Sequence, residues 1–198
     1  MREALIVIDV QNDFCPSGAL AVSEGDLIVD PINELIAGSD IVVLSQDWHP
    51  DDHTSFADSH PNKSPFDLVT MDYGPQTLWP RHCVQGSKGA EFHPRLMTNA
   101  ADAIVRKGTR REIDSYSTFF ENDRKTPTGL VGYLRERGIT DLRLVGLATD
   151  FCVAFSAVDA VDHGFDVTVQ LDACRAIDMD GSLAAAIETL KSKGVRLS

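Results

Sequence analysis

No stretch of this sequence approaches the roughly 18 consecutive apolar residues that a membrane-spanning helix needs, so no membrane span is expected. Met1, Arg2 and Glu3 lead straight into an apolar strand pattern without a signal-peptide layout, which points to the cytoplasm. The four cysteines, Cys15, Cys83, Cys152 and Cys174, are widely separated and form no Cys-x-x-Cys pair. Neither a zinc knuckle nor a dense disulfide framework is suggested, and in a reducing compartment all four read as free thiols. Basic residues are scarce: 18 Lys and Arg against 30 Asp and Glu leave a net charge of -12, with no basic stripe. Such a balance argues against nucleic acid or an anionic membrane as partner, because neither counterion release nor attraction would follow. Internal repeats and low-complexity tracts are missing as well.

What is present is enough for one core. The chain has 198 residues, 43% of them apolar, and reads as a single domain over 1-198. Apolar, β-branched runs of strand length occur at Leu5 to Val10, Ile41 to Ser45, Ala103 to Val105, Leu142 to Leu147 and Val167 to Leu171, with a weaker one at Val195 to Leu197. Helical patterns fall between most of them: Pro31 to Ala37 with Asp30 as cap, Thr128 to Arg137, Phe151 to His163 and Met179 to Lys193, the last three closed by Gly138, Gly164 and Gly194. This alternation predicts an α/β fold, an open parallel sheet with helices on both faces. Residues 48-95 break the rhythm with Pro50, Pro61, Pro65, Pro75, Pro80 and Pro94, and read as an extended loop region. Loops of that length usually bind something or close over a site.

In open α/β sheets ligands sit beyond the carboxyl ends of the strands, where this sequence places Asp9, Asp47, Lys107 and the segment Ala148 to Cys152. Cys152 falls in the first turn of a helix whose apolar face reads Phe151, Phe155, Val158. There the positive end of the helix dipole is expected to lower the thiol pKa, and free backbone N–H groups could hold an oxyanion. A strand-end carboxylate, Asp9, can take the thiol proton and return it to a leaving amine, and the Lys107 ammonium favours the charged forms of both. Each residue alone has a plain explanation as a turn former, a solvated lysine or a core thiol; their convergence on one sheet edge does not. Asp47, His49 and His53 start where a strand ends, and His82 lies in the same loop region. Carboxylate and imidazole together suit zinc, iron or manganese.

The segments IDVQNDFC (Ile8 to Cys15), QDWHPDDHTSFA (Gln46 to Ala57), LWPRHCVQ (Leu78 to Gln85), GAEFHP (Gly89 to Pro94), RKG around Lys107, YSTF (Tyr116 to Phe119) and GLATDFCV (Gly146 to Val153) occur in one order along the chain. Together they resemble the nicotinamidase/pyrazinamidase branch of the isochorismatase-like cysteine hydrolases. The resemblance implies a three-layer sandwich around a six-stranded parallel sheet and a catalytic triad of Asp9, Lys107 and Cys152. It implies metal binding by Asp47, His49 and His82, with His53 either a ligand or a residue lining the site, and zinc as the metal ahead of manganese or iron. It further implies a cis peptide between Leu147 and Ala148, an oxyanion hole from the Ala148 and Cys152 N–H groups, and Phe14, Trp79 and Tyr116 around the substrate ring. Gln11 matches a residue near the catalytic Asp. Phe151 stands where relatives often carry Tyr or His, a change expected to affect packing more than chemistry.

The activity so implied is hydrolysis of nicotinamide, and of the isosteric pyrazinamide, to the acid and ammonia in NAD salvage. A metal-independent cysteine amidase acting on a carbamoyl or ureido compound is the alternative, and a non-catalytic binding protein is a third. A small-molecule substrate is the expected partner, and a homo-oligomer is compatible with the sequence.

Overall fold

The computed structural model describes residues 2-198. Its main sheet has six strands, β1 (Glu3–Ile8), β2 (Val42–Asp47), β5 (Ala103–Lys107), β6 (Asp141–Leu147), β7 (Asp166–Arg175) and β8 (Arg196–Leu197), in the order β5-β2-β1-β6-β7-β8. All five pairings are parallel, as expected. Alternation along β1 splits the core in two. Ala4, Ile6 and Ile8 pack on one face with α2 (Leu130–Glu136), α3 (Ala154–Asp162) and α4 (Ser182–Ser192), while Leu5 and Val7 pack on the other with α1 (Val29–Ala37) and the loops around Phe14 and Trp79. Among the described residues no helix is long and apolar enough to cross a membrane.

The helix starts differ from the sequence pattern for local reasons. α1 begins two residues earlier, with Ile28 at its cap, because the Asp30 carboxylate is engaged by Arg95 at 2.8 Å rather than by the helix N-terminus. α2 and α4 start behind Gly129 and Gly181, both at positive φ, after Thr128 and Met179 have been drawn into turns. In α3 the face against the sheet is Ala154, Ala157 and Ala160, and the expected face of Phe155 and Val158 is only half-buried. Small residues let the helix lie close on the strands, leaving the larger ones at its flank.

The loop region 48-95 contains a two-stranded antiparallel hairpin that the sequence reading missed: β3 (Leu68–Met71) with β4 (Gly74–Thr77). Four-residue strands, one of them Gly-Pro-Gln-Thr, carry too little periodicity to signal pairing, and Pro75 is tolerated because the ribbon has free edges.

Candidate active site

The carboxyl ends of four adjacent strands each deliver one group. Lys107 is the last residue of β5 and Asp47 the last of β2; Asp9 follows β1, and Cys152 lies in the turn after β6. The Lys107 ammonium is the hub. Its Nζ lies 2.8 Å from Asp9 Oδ2 and 2.7 Å from Asp47 Oδ1, donates to the Ser115 carbonyl at 2.8 Å, and reaches Cys152 Sγ at 3.5 Å. Asp9 leaves the strand with φ 50°, and its other oxygen accepts from Ser45 Oγ at 2.7 Å. Gly146, at φ 120°, permits this convergence: a Cβ there would lie 2.1 Å from the Ile8 carbonyl oxygen, just before Asp9.

Burial governs the charges. It would pull the Lys107 ammonium down, yet Asp47, Asp9 and Cys152 together hold it well above its ordinary value. Burial would raise Asp47, but Lys107 and His49 bring it well below the usual carboxylate range. Asp9 goes the other way: burial lifts it, and Lys107 only partly offsets that. Cys152 corrects the expectation of a depressed thiol. Burial pushes it well above its ordinary value despite Lys107, with Asp9 and Asp47 adding to the rise. The first helical turn here, Thr149–Val153, is a π-turn that carries the sulfur inward, so loss of solvent outweighs the helix dipole. The surround thus favours the neutral thiol, beside a carboxyl group of raised proton affinity.

Next to this hub stands a metal-type donor set. Ligand atoms of Asp47, His49 and His82 lie within 4.8 Å of one another, all buried. His49 Nδ1–H donates to the Gly108 carbonyl at 2.9 Å and His82 Nδ1–H to the Pro80 carbonyl at 2.7 Å, so both imidazoles turn Nε2 toward Asp47 Oδ2, at 3.3 and 3.7 Å. The buried His49 Nε2 has no hydrogen-bond partner. An imidazole nitrogen facing a carboxylate oxygen in a buried site calls for a proton or a metal cation between them, and Asp47 does raise the proton affinity of His49 against the effect of burial. Nδ1 locked on a backbone carbonyl is the usual outer support of a metal-bound histidine. The residues therefore fit a divalent metal. His53 lies outside this set but forms a second, overlapping one with His49 and Asp114, whose ligand atoms also lie within 4.8 Å of one another. Its Nδ1 accepts from Ser55 N–H at 3.1 Å, its Nε2 faces the Ile113 carbonyl at 3.2 Å, and its ring packs on His49 at 4.4 Å.

A cavity of about 340 Å³, mouth included, opens onto both groups and is lined by Phe14, Trp79, His82, Tyr116, Ala148 and Cys152, all singled out from the sequence. Most of that space is mouth, and the enclosed part is narrow, walled mainly by aromatic rings. Trp79 meets Phe151 edge-on at 5.0 Å, and its indole N–H donates to Tyr116 Oη at 3.2 Å. The Leu147–Ala148 peptide is cis. Sequence reasoning missed four lining residues: Leu20, Asp114, Ile177 and, as a wall rather than mere packing, Phe151. Asp114 is held by Gln76 of the unforeseen hairpin, whose Nε2 donates to Asp114 Oδ2 at 2.7 Å. Only the adjacency of Phe151 to Cys152 could have signalled any of them.

The family model for the isochorismatase domain matches residues 3–198. The chain belongs to the isochorismatase family. Within it, the sequence is 54% identical over 193 residues to the nicotinamidase of Acinetobacter baylyi, an alignment covering 98% of this chain and 90% of that protein. A solved nicotinamidase/pyrazinamidase of Acinetobacter baumanii superposes with a TM-score of 0.98 at 54% identity, over 99% of this chain and 95% of that one. The pyrazinamidase of Pyrococcus horikoshii, solved in complex with zinc, matches with a TM-score of 0.79 at 36% identity, over 100% of this chain and 99% of that one.

Proposed function

We propose that this chain is a nicotinamidase, a cysteine amidohydrolase that converts nicotinamide to nicotinate and ammonia and accepts pyrazinamide as an isostere. One observation carries the reading: a buried thiol and two carboxylates meet on a single ammonium, Lys107, at a cavity walled by aromatic rings and bordered by a metal-type donor set.

Cys152 Sγ attacks the carboxamide carbon. A C–S bond forms, the thiol proton passes to Asp9, and the carbonyl π electrons move onto oxygen, which the Ala148 and Cys152 N–H groups receive. Collapse of this intermediate breaks the C–N bond as Asp9 hands its proton to nitrogen, and ammonia leaves. Water then adds to the thioester, giving a proton to Asp9; the C–S bond breaks, the acid departs, and the sulfur recovers its proton. The raised proton affinity of Asp9 suits it to hold the proton between these steps. Lys107 keeps the carboxylates of Asp9 and Asp47 apart while the charge shifts. Trp79, Phe14, Tyr116 and Phe151 exclude water and favour a flat ring. Asp47, His49 and His82 are the ligands for a divalent metal, zinc in preference to manganese or iron, which when bound supplies a Lewis-acid anchor for the pyridine nitrogen. His53 supports His49 from behind. The compartment consistent with this role is the cytoplasm.

Ammonia release from nicotinamide, measured for wild type and Cys152→Ala with and without added zinc, tests the reading. We expect the alanine variant to lose several orders of magnitude in rate and to keep its zinc. Full wild-type activity after exhaustive chelation would favour the metal-independent amidase instead.

A further inference from the structure

Asp47 has to serve two masters at once: one carboxylate oxygen on Lys107 at 2.7 Å, the other toward His49 and His82. Its backbone sits where the sheet gives out. The β1–β2 register pairs Leu5 with Val42, Ile6 with Val43 and Val7 with Leu44, and β1 ends at Ile8. Asp9 then turns off the strand at φ 50° to aim its carboxylate at Lys107, and this turn carries the β1 backbone away from Asp47. On the outer side Asp47 still pairs with Lys107 of β5. On the inner side both its peptide groups would face nothing.

Gln11, which is 0% exposed, fills that place. Asp47 N–H donates to Gln11 Oε1 at 2.8 Å, and Gln11 Nε2 donates to the Asp47 carbonyl at 2.8 Å and to the Ala90 carbonyl at 2.9 Å. The Gln11 backbone N–H donates to the Asp9 carbonyl at 2.8 Å. A primary amide carries the same donor and acceptor as a peptide group, and only one orientation of this amide satisfies all three side-chain bonds.

We propose that Gln11 is a positioning residue: its side chain substitutes for the missing strand residue beside Asp47, and so tunes metal affinity while locking the ligand to the Asp9 turn. This rests on the reading of Asp47, His49 and His82 as the metal ligands. Groups that orient a ligand from behind typically change metal affinity by about 10–100-fold when removed. No other described side chain donates a hydrogen bond to the Asp47 carbonyl.

The test compares zinc dissociation constants, by competition with a chromophoric chelator, for wild type, Gln11→Glu, Gln11→Met and Asp47→Ala. Gln11→Glu keeps the shape and the acceptor for Asp47 N–H but loses both donors; Gln11→Met removes all polarity. Both are expected to weaken zinc by about 10–100-fold, and excess zinc should recover the lost turnover. A merely structural glutamine would lower the thermal midpoint and leave the zinc constant unmoved. If Asp47→Ala abolishes zinc binding while both Gln11 variants bind like wild type, the proposal is overturned. If Asp47→Ala itself binds zinc normally, the ligand assignment fails instead. Should neither Gln11 variant fold, amide exchange in the zinc-free wild type decides: the Asp47 N–H is expected to exchange slowly, and exchange at the rate of a free loop overturns the proposal.

Discussion

Replacing Lys107 by Met removes the one cation that holds the site together without changing its bulk much. Two buried carboxylates, Asp9 and Asp47, then face each other with no counter-charge, and the Ser115 carbonyl loses its donor. Breaking a buried ion pair from one side typically costs about 3–5 kcal/mol. For a chain of this size each kcal/mol moves the thermal midpoint by about 2–4 °C, so the metal-free variant should melt roughly 6–20 °C lower. Both proteins have to be assayed in chelator, because bound metal adds its own stabilisation, about 2.7 kcal/mol at 100 times the dissociation constant, and any change in metal affinity would otherwise mix with the charge effect. The pH dependence distinguishes charge from packing. Without the ammonium, the native carboxyls hold protons that the unfolded chain has already released above its ordinary carboxylate range near 4. The variant should therefore recover stability, relative to wild type, as pH falls from neutrality toward that range. A loss below about 1 kcal/mol at neutral pH, or one independent of pH, would refute the charge accounting.

Phe151 forms a wall common to the catalytic cavity and to an outer apolar groove along α3 and α4; Phe151→Ala should raise KM for nicotinamide about tenfold through lost ring contacts and admit ring-substituted pyridine carboxamides that the wild type rejects, as steady-state kinetics would show. Burial pushes Glu121 up to about 7 although Arg110 lies 3.3 Å away. Between 4.5 and about 7 the folded chain keeps a proton that the unfolded chain has lost, so this residue makes wild-type stability fall as pH rises through that window. In denaturant titrations Glu121→Gln should gain stability relative to wild type from about pH 5 to about pH 8, and a pH-independent difference would argue against it.

The strands and the four convergent groups were legible because a parallel sheet writes them plainly: β-branched runs mark strands buried on both faces, and a polar residue at the end of such a run has few places to go but the ligand edge. Asp9, Asp47, Lys107 and Cys152 were visible for that reason. The direction of the Cys152 shift was not, since helix position can be read from sequence whereas depth of burial depends on the whole surround. Gln76 and Asp114 escaped notice because the hairpin that unites them has strands of four residues containing Gly74 and Pro75. Leu20 and Ile177 reach the cavity from connecting loops, whose course no periodicity records. The place of His53 depended on the fold bringing Asp114 and the Ser55 and Ile113 backbone to its ring, which no local spacing records.

All four sulfurs lie inside the fold, and in each case loss of solvent discourages ionisation: Cys15 to about 11, Cys174 to about 12, Cys83 and Cys152 well above their ordinary value. Peroxide and alkylating agents react with the anion, so burial of all four thiols lowers their exposure to oxidants and electrophiles. Cys152 is the sulfur that combines the aromatic slot with a hydrogen-bonded carboxyl group, Asp9, beside it. An inhibitor warhead carried on a pyridine ring should thus label Cys152 faster than a generic thiol reagent of equal strength does.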